Sequence, residues 1–298
     1  NRLQVLPANV FQNTGKLREL NLYRNQLKEL HVDLFIQLFD LVRISLYTNQ
    51  LETIHPRLFR NNRALTELYL RENQFGELHG DIFGNLNNLE ILHLHSNKLK
   101  VLPADTFRNN EKLRDLSLFY NQLKEVFKNL INLETLYLHI NKIELLPADI
   151  FRNNGKLREI NLSRNQFKEL HGDLFKELHN LKQIDLGQNE LKTLPPDLFH
   201  NNSNVLVLEL PDNLLVELHD DVLATLVNLE TLLVHSNKLE VLPADTFRKK
   251  KLQRLSLTNN QLKVLDADHF EQLINLEEIY FKKTINSRSY FQACFVTI

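Results

Sequence analysis

The sequence predicts an α/β solenoid, a curved stack of short coils with a concave parallel sheet of about twelve strands and a convex side of loops and short helices. Three observations predict this fold. The pattern LxxLxLxxN, first seen at 17–25, returns along the whole chain. Its asparagine recurs every 24 residues, apart from one gap of 20 and one of 23. Eleven of the 18 phenylalanines share one later position of this repeat.

Each repeat opens with a strand, because leucines alternate with polar residues, as in Leu20-Asn21-Leu22. The asparagine that follows is expected to be buried, where its amide can bond backbone groups of the turn. Next come a leucine pair and the segment Pro103-Ala104-Asp105, in which we expect the aspartate to cap a short helical turn. The phenylalanine is then an inward anchor, as at Phe107. The full anchor set is Phe11, Phe35, Phe59, Phe83, Phe107, Phe127, Phe151, Phe175, Phe199, Phe247 and Phe270, with Leu223 as the substitute.

A single repeat cannot fold alone. Ordering each residue costs about 1 to 2 kcal/mol, and the apolar side chains of a coil return roughly 1.5 to 3 kcal/mol each only when neighbours cover them. Stacking of coils is therefore obligatory.

The pattern LxxLxLxxNxLxxLPxxxFxxLxxL resembles the typical-subfamily leucine-rich repeat of extracellular proteins. The resemblance covers nearly the whole chain. It implies a horseshoe-shaped solenoid with a non-enzymatic role in recognition, adhesion or carriage of a subunit, in a secreted protein or an ectodomain. We divide the chain into a repeat solenoid at 1–284 and a capping segment or tail at 285–298, which carries Cys294, the single cysteine. Secreted relatives usually have four-cysteine caps, and this chain departs from them there.

The chain also contains a larger internal copy. HSNKLKVLPADTFR at 95–108 returns at 235–248 with one change, and 15–35 matches 155–175 at the same offset of 140. One repeat near the seam is 20 residues long and lacks four residues between Val126 and Phe127. Either this is a shorter loop without functional consequence, or it marks a break in curvature or a dimer contact.

Aromatic residues cluster on the predicted concave face of the first six repeats. Strand propensity alone would spread them evenly, whereas tyrosine mixed with arginine and histidine is typical of an interaction surface. We therefore predict a partner-binding face with the area of a standard protein interface. Its residues are Tyr23, Tyr47, Tyr69, Arg71, His93, His95, Phe119, Tyr120, Tyr137 and His139.

Other candidate sites are weaker. His93 and His95 share one strand face, but no cysteine accompanies them, so we expect interface histidines and no metal site. The histidines His31, His55 and His79 replace proline and are expected on the convex surface. Pro211 suggests a local bulge at a strand end.

Asn161 in NLS and Asn201 in NNS match the glycosylation acceptor pattern. A glycan on Asn201 would lie on the convex side. A glycan on Asn161 would obstruct the concave face of the second half, which is one reason to place the partner-binding face in the first six repeats.

Composition excludes several classes of function. The formal net charge is −1, which disfavours nucleic acid and anionic membranes as partners. No apolar run approaches the roughly 18 to 20 residues of a membrane span, and the opening at Asn1 suggests a processed or excised chain. No motif for catalysis or for a cofactor is present.

We therefore expect a non-enzymatic module without a cofactor that binds a protein ligand through its concave face. The alternative is a structural or carrier subunit that forms a homo-oligomer or stabilises a secreted enzyme.

Overall fold

The computed structural model describes residues 1–103, 105–124, 131–243, 245–265 and 267–281. The chain divides into two compact units, Asn1–Ile143 and Glu144–Ile298. The expected capping segment at 285–298, with Cys294, lies outside the described residues.

The first unit contains six parallel strands of three residues in sequential order. Neighbouring strands pair in simple register, as in Asn21 with Ser45 and Ser117 with Tyr137. The strands are β1 (Glu19–Asn21), β2 (Arg43–Ser45), β3 (Glu67–Tyr69), β4 (Ile91–His93), β5 (Asp115–Ser117) and β6 (Thr135–Tyr137).

The second unit has the same plan. Its strands are β7 (Glu159–Asn161), β8 (Gln183–Asp185), β9 (Val207–Glu209), β10 (Thr231–Leu233), β11 (Arg254–Ser256) and β12 (Glu278–Tyr280). Their parallel pairing is again sequential. The predicted repeat solenoid with about twelve strands is confirmed.

The leucines of each repeat form the core, as their spacing predicts. Leu68 and Leu70 are fully buried around β3, and Leu20 and Leu22 keep only 8% and 7% exposure in the first repeat. The anchors Phe35, Phe59, Phe83, Phe107, Phe151, Phe175, Phe199 and Phe247 are at most 3% exposed. Phe11 and Phe270 are half-buried, and Phe127 lies outside the described residues. Several neighbouring anchors stack, as do Phe83 and Phe107, whose rings are 5.9 Å apart.

The asparagine of each repeat bridges adjacent coils, as predicted. Asn49 donates its amide to the carbonyl oxygens of Leu22 (2.9 Å) and Leu46 (3.0 Å). Its Oδ1 accepts the backbone N–H of Leu27 at 3.1 Å. The same bonds recur at Asn73 and Asn97.

A second asparagine ladder, which the sequence analysis missed, lies on the loop side of the coils. Asn62 is fully buried and donates to the carbonyl oxygens of Phe35 (3.1 Å) and Leu38 (2.8 Å). Asn110 and Asn202 make the equivalent pair of bonds. Lys250 occupies the same position of a later repeat and is also buried.

The loop side forms turns in most repeats, so the expected helical turn capped by aspartate is wrong for most of them. Described helix is confined to α1 (Asp220–Ala224), whose cap residue His219 makes no side-chain capping bond, and a 3-10 turn at Ala267–His269. In several repeats histidine, and not the expected aspartate, accepts a backbone N–H of the turn. Nδ1 of His31 accepts the backbone N–H of Asp33 at 3.1 Å. His55 and His79 make the same bond, and all three are exposed on the loop side, as predicted.

Each of the strands β1 to β11 is followed by one residue in the left-handed region. These eleven residues have φ between 53° and 57° and directly precede the repeat asparagine: Arg24, Thr48, Glu72, Ser96, Tyr120, Ile140, Arg164, Gln188, Asp212, Ser236 and Asn259. None is glycine. The bonds of the buried asparagine hold this conformation.

The 20-residue repeat keeps the strand and asparagine pattern. Asn141 still donates to Leu118 and Leu138, and its Oδ1 accepts the N–H of Leu123 at 3.0 Å. The point between Val126 and Phe127 where the four residues are lacking lies within 125–130, outside the described residues. The choice between a shorter loop and a curvature break or dimer contact therefore stays open.

Candidate functional site

The strand face consists of the side chains that point to solvent from the strands and from the residues just after them. In the first unit, the residue three positions after the buried central leucine or isoleucine of each strand has a planar side chain. These six residues are Tyr23, Tyr47, Arg71, His95, Phe119 and His139. We call them the planar row.

The planar row begins with a three-layer stack. The rings of Tyr23 and Tyr47 are 4.6 Å apart and within 8° of parallel. The guanidinium carbon of Arg71 lies 3.9 Å from the centre of the Tyr47 ring, in cation–π geometry. Tyr47 is therefore covered on both faces and held in one orientation.

A second stack completes the row. The ring of Phe119 lies between His95, at 4.1 Å and 9°, and His139, at 4.3 Å and 11°. Parallel strands lie about 4.8 Å apart, so planar side chains at one repeat position meet in stacking contact. The strand spacing itself builds the two stacks.

An inner row of aromatic side chains supports the second stack. Tyr69 and His93 meet edge to face at 5.1 Å, and Tyr137 and His139 do so at 6.2 Å. His93 also approaches His95 at 5.9 Å, and its Nε2 lies 3.4 Å from the carboxylate of Asp115. These contacts fix the positions of the rings relative to one another.

Charged side chains on this face are paired with one another. Arg43 bonds Glu67 through Nε at 2.6 Å and approaches Glu19 at 3.2 Å. Tyr69 donates its hydroxyl to Glu67 at 2.8 Å. The bond from Arg43 holds the pKa of Glu67 below its usual value, while burial, followed by the bond to Glu67, raises the pKa of Tyr69 to about 12.

His95 is neutral at physiological pH. Burial first, then the nearby charges of His93 and Arg71, lowers the pKa of His95 to about 4. A neutral imidazole stacks on Phe119 without a charge to desolvate when a partner covers it.

The structure brings nine of the ten predicted partner-binding residues into these two stacks and the inner row. Tyr120 is the exception. It lies in the turn with a φ of 54°, is 59% exposed, and makes no ring contact with a described residue. The stacking itself was missed by sequence reasoning, although planar residues at one position of successive repeats were the signal for it.

The second unit carries no such stack among its described residues. Ser163, Gly187, Pro211 and His235 occupy the same repeat position. The predicted bulge at Pro211 is wrong, because β8, β9 and β10 pair without a shift of register. Proline fits because its position in other repeats donates no sheet hydrogen bond.

The two glycosylation candidates differ in geometry. Asn161 lies in β7 with its Oδ1 accepting the N–H and hydroxyl of Ser163 at 3.0 and 2.7 Å. Asn201 lies on the loop side and donates to the carbonyl of Lys176 at 3.1 Å. Among the described residues, no group of three or more histidine, cysteine, aspartate or glutamate side chains could hold a metal ion. Within the same part of the chain, no helix has the length and apolarity needed to traverse a bilayer.

The leucine rich repeat family model matches 16–75, 63–123, 124–167, 155–215, 180–239 and 227–284. The chain therefore belongs to the leucine-rich repeat family. No curated protein matches it.

Solved structures with a similar fold include a chain of the Toll–Spatzle complex of Drosophila, at 26% identity and a TM-score of 0.82. That match covers 95% of this chain and 39% of the other. A leucine-rich repeat protein of Leptospira interrogans is 28% identical with a TM-score of 0.83, covering 96% of this chain and 72% of that one. A chain of the TLR13–ssRNA13 complex is 27% identical with a TM-score of 0.84, covering 97% and 43%. This chain thus spans less than half of the matched Toll and TLR13 complex chains.

Proposed function

We propose that the chain is a non-catalytic protein-binding module that holds a protein partner on the strand face of its first unit. The observation that supports this most strongly is the planar row, two stacks of side chains with their rings already ordered. The Toll–Spatzle complex, in which a similar chain takes part, supports a binding role.

Ordered rings favour binding on energetic grounds. Immobilising a free side chain at an interface costs about 0.5 to 1.5 kcal/mol. Tyr47 and Phe119 are each fixed between two neighbours. Most of the cost of immobilising these side chains is therefore already met before a partner binds. Tyrosine and arginine are also the residue types that dominate binding energy in protein interfaces.

A protein partner suits this face better than a nucleic acid. Arginines that could bind phosphate are engaged: Arg43 with Glu19 and Glu67, Arg71 with Glu72 at 3.2 Å, and Arg114 with Glu90 at 3.1 Å. The TLR13 complex contains RNA, so a nucleic-acid ligand is the outcome against which the proposal is tested.

The test compares wild-type protein with the single variants Tyr47→Ala and Phe119→Ala. Proteins captured from the native source by the wild-type chain are identified, and the recovered partner is then titrated against each variant. We expect roughly 30-fold weaker binding or more for each variant, because each removes the centre of one stack. Ser163→Ala and Thr258→Ala, on the strand face of the second unit, are matched controls that retain full affinity.

Retention of full affinity by both aromatic variants would contradict the proposed site. Recovery of RNA in place of a protein would contradict the proposed class of partner.

We also place the protein outside the cell, as a secreted chain or an ectodomain, on the resemblance to extracellular repeats. Asn201 is the better glycan acceptor, because its side chain lies on the loop side, away from the strand face. Intact mass of the native protein before and after enzymatic removal of N-glycans tests this. An unmodified Asn201 in protein from the native source would count against it.

The alternative is a structural or carrier subunit that assembles with itself or with an enzyme. One observation favours it: an apolar residue is exposed at the same position of several repeats, four residues after the repeat asparagine. These residues are Val5, Val101, Leu145, Val241 and Val264, which are 49% to 68% exposed. Sedimentation separates the two functions, since a stable oligomer of the pure chain supports assembly and a monomer supports recognition.

A further inference from the structure

The strand face of the second unit holds two carboxylates side by side. Asp185 of β8 and Glu209 of β9 are register partners in the parallel sheet. Both side chains are half-buried and point to the strand face. Their spacing is set by the strands, at about 4.8 Å between backbones.

This pair lacks the counter-charges that several carboxylates on or beside other strands have. Glu67 pairs with Arg43, Glu90 with Arg114, and Glu278 with Arg254. Across the described residues, by contrast, no basic side chain lies within 4 Å of the carboxylate of Asp185 or Glu209.

The hydrogen bonds of the pair leave acceptor capacity unused. Asp185 accepts the backbone N–H of Gly187 at 2.9 Å through Oδ1. Burial, and then the charge of Asp185, raises the pKa of Glu209. Burial lowers the pKa of His235, the imidazole on the same face.

Apolar side chains lie on the Glu209 side of the pair, whereas Asp185 is flanked by the polar residues Asn161, its register partner on β7, and Gln183. Val207 precedes Glu209 in β9, Leu206 lies just before that strand, and Leu233 is the register partner of Glu209 on β10. All three are partly exposed. Gly187, two residues after Asp185, carries no side chain, and the Pro211 ring packs against it, where a Cβ would lie 2.9 Å from the ring. The carboxylates are thus partly exposed, with an apolar rim on the Glu209 side.

We propose that this face, made of Asp185, Glu209 and the rim Leu206, Val207 and Leu233, binds a protein segment that inserts a lysine or arginine side chain between the two carboxylates. Charge complementarity identifies the occupant. A half-buried carboxylate pair attracts a cation more strongly than a solvated one, and the apolar rim covers the methylene stem of a long basic side chain. A metal ion fits poorly, since no third ligand completes a cluster among the described residues.

This surface is separate in sequence from the planar row and binds a different chemistry. The proposal therefore does not depend on the function proposed for the first unit, and its test uses none of those residues.

The test selects displayed random dodecapeptides on the wild-type chain and removes those that bind the double variant Asp185→Asn/Glu209→Gln. We expect the remaining peptides to share a lysine or arginine next to apolar residues. One such peptide is then synthesised and titrated. Its affinity should fall at least about tenfold on the double variant, and by a similar factor when norleucine replaces the basic residue.

Glu169→Gln/Glu190→Gln removes two exposed carboxylates of the same unit away from the strand face and should leave the affinity unchanged. The double variant is expected to melt no lower than wild type, because it removes a repulsive pair, so weaker binding cannot be assigned to unfolding. Selection of no basic residue, or equal binding of the peptide to wild type and double variant, would overturn the proposal.

Discussion

Asn49 illustrates how one residue type fixes the repeat. Its side chain makes three bonds to backbone groups of two coils in a region sealed from water. Asn49→Leu keeps the volume but leaves those three groups without a partner, and each such loss costs about 1 to 3 kcal/mol. We expect about 3 to 5 kcal/mol lower free energy of unfolding, measured by denaturant titration.

Asn88→Ala is the matched control, since its amide also bonds a backbone carbonyl, that of Arg63, but on the exposed surface. It should change stability by less than about 1 kcal/mol. Equal effects of the two substitutions would show that burial does not decide the role of the asparagine.

Lys250 presents the opposite case, a residue poorly matched to its site. It occupies the position of the buried asparagines Asn62, Asn110 and Asn202, where burial lowers its pKa and its ammonium bonds only the carbonyl of Arg248, at 3.3 Å. Lys250→Asn should place an amide within reach of two backbone carbonyls of the preceding coil. We expect about 1 to 2 kcal/mol higher stability at pH 7.

The pH dependence has a definite sign. The folded-state pKa of Lys250 lies below its unfolded value, so the lysine destabilises the fold most below that lowered pKa. The advantage of Lys250→Asn should therefore shrink as pH rises toward 10.5. Lys251→Asn, at the exposed neighbour, should show no gain at any pH.

At the scale of one strand with its turn, two glycines at different repeat positions show how closely the coils pack. A Cβ on Gly187 would lie 2.9 Å from the Pro211 ring, whereas one on Gly76 meets nothing within 4 Å. We expect Gly187→Ala to lower stability by about 1 to 3 kcal/mol through this clash. Gly76→Ala should be neutral or raise stability by up to about 1 kcal/mol.

Pro211→Ala combined with Gly187→Ala forms a double-mutant cycle that checks the cause. The alanine at 187 should cost less when the proline ring is absent. A cost that is unchanged by Pro211→Ala would place the strain elsewhere.

The strand element was predictable from the sequence, whereas the element on the loop side was not. LxxLxL determines strand, face and register because leucine alternation admits one arrangement. The segment after Pro103 contains an aspartate that favours a cap, yet its backbone N–H groups bond carbonyls three residues earlier and form turns. His31 was assigned to the correct surface, but its bond to the N–H of Asp33 depends on a ring orientation that the sequence does not encode.

At the scale of the whole molecule, stability is expected to follow position in the stack, because each coil is covered by its neighbours. Leu65 is fully buried between two coils, while Leu17, at the same repeat position in the first complete repeat, is only half-buried. Leu65→Ala should cost about 2 to 5 kcal/mol, and Leu17→Ala clearly less. Backbone amides near Leu17 should also exchange with solvent faster than those near Leu65.

The candidate surface was predictable only in part. Periodicity placed nine residues on one face because the repeat position determines the direction of a side chain. Whether neighbouring side chains stack, as Phe119 does, or remain uncompensated, as Glu209 does, depends on contacts between repeats 24 residues apart. Such contacts become visible only when residues at equal repeat positions are compared as a column.

The left-handed residue that precedes each repeat asparagine shows what such a frame permits. Arginine, threonine, glutamate, tyrosine and isoleucine all occupy it, although an L-residue rarely adopts that conformation unaided. The bonds of the buried asparagine impose this backbone conformation, so the fold does not require a particular amino acid at the position. Each coil consequently offers evolution a position where new ligand chemistry can be sampled while the architecture stays constant.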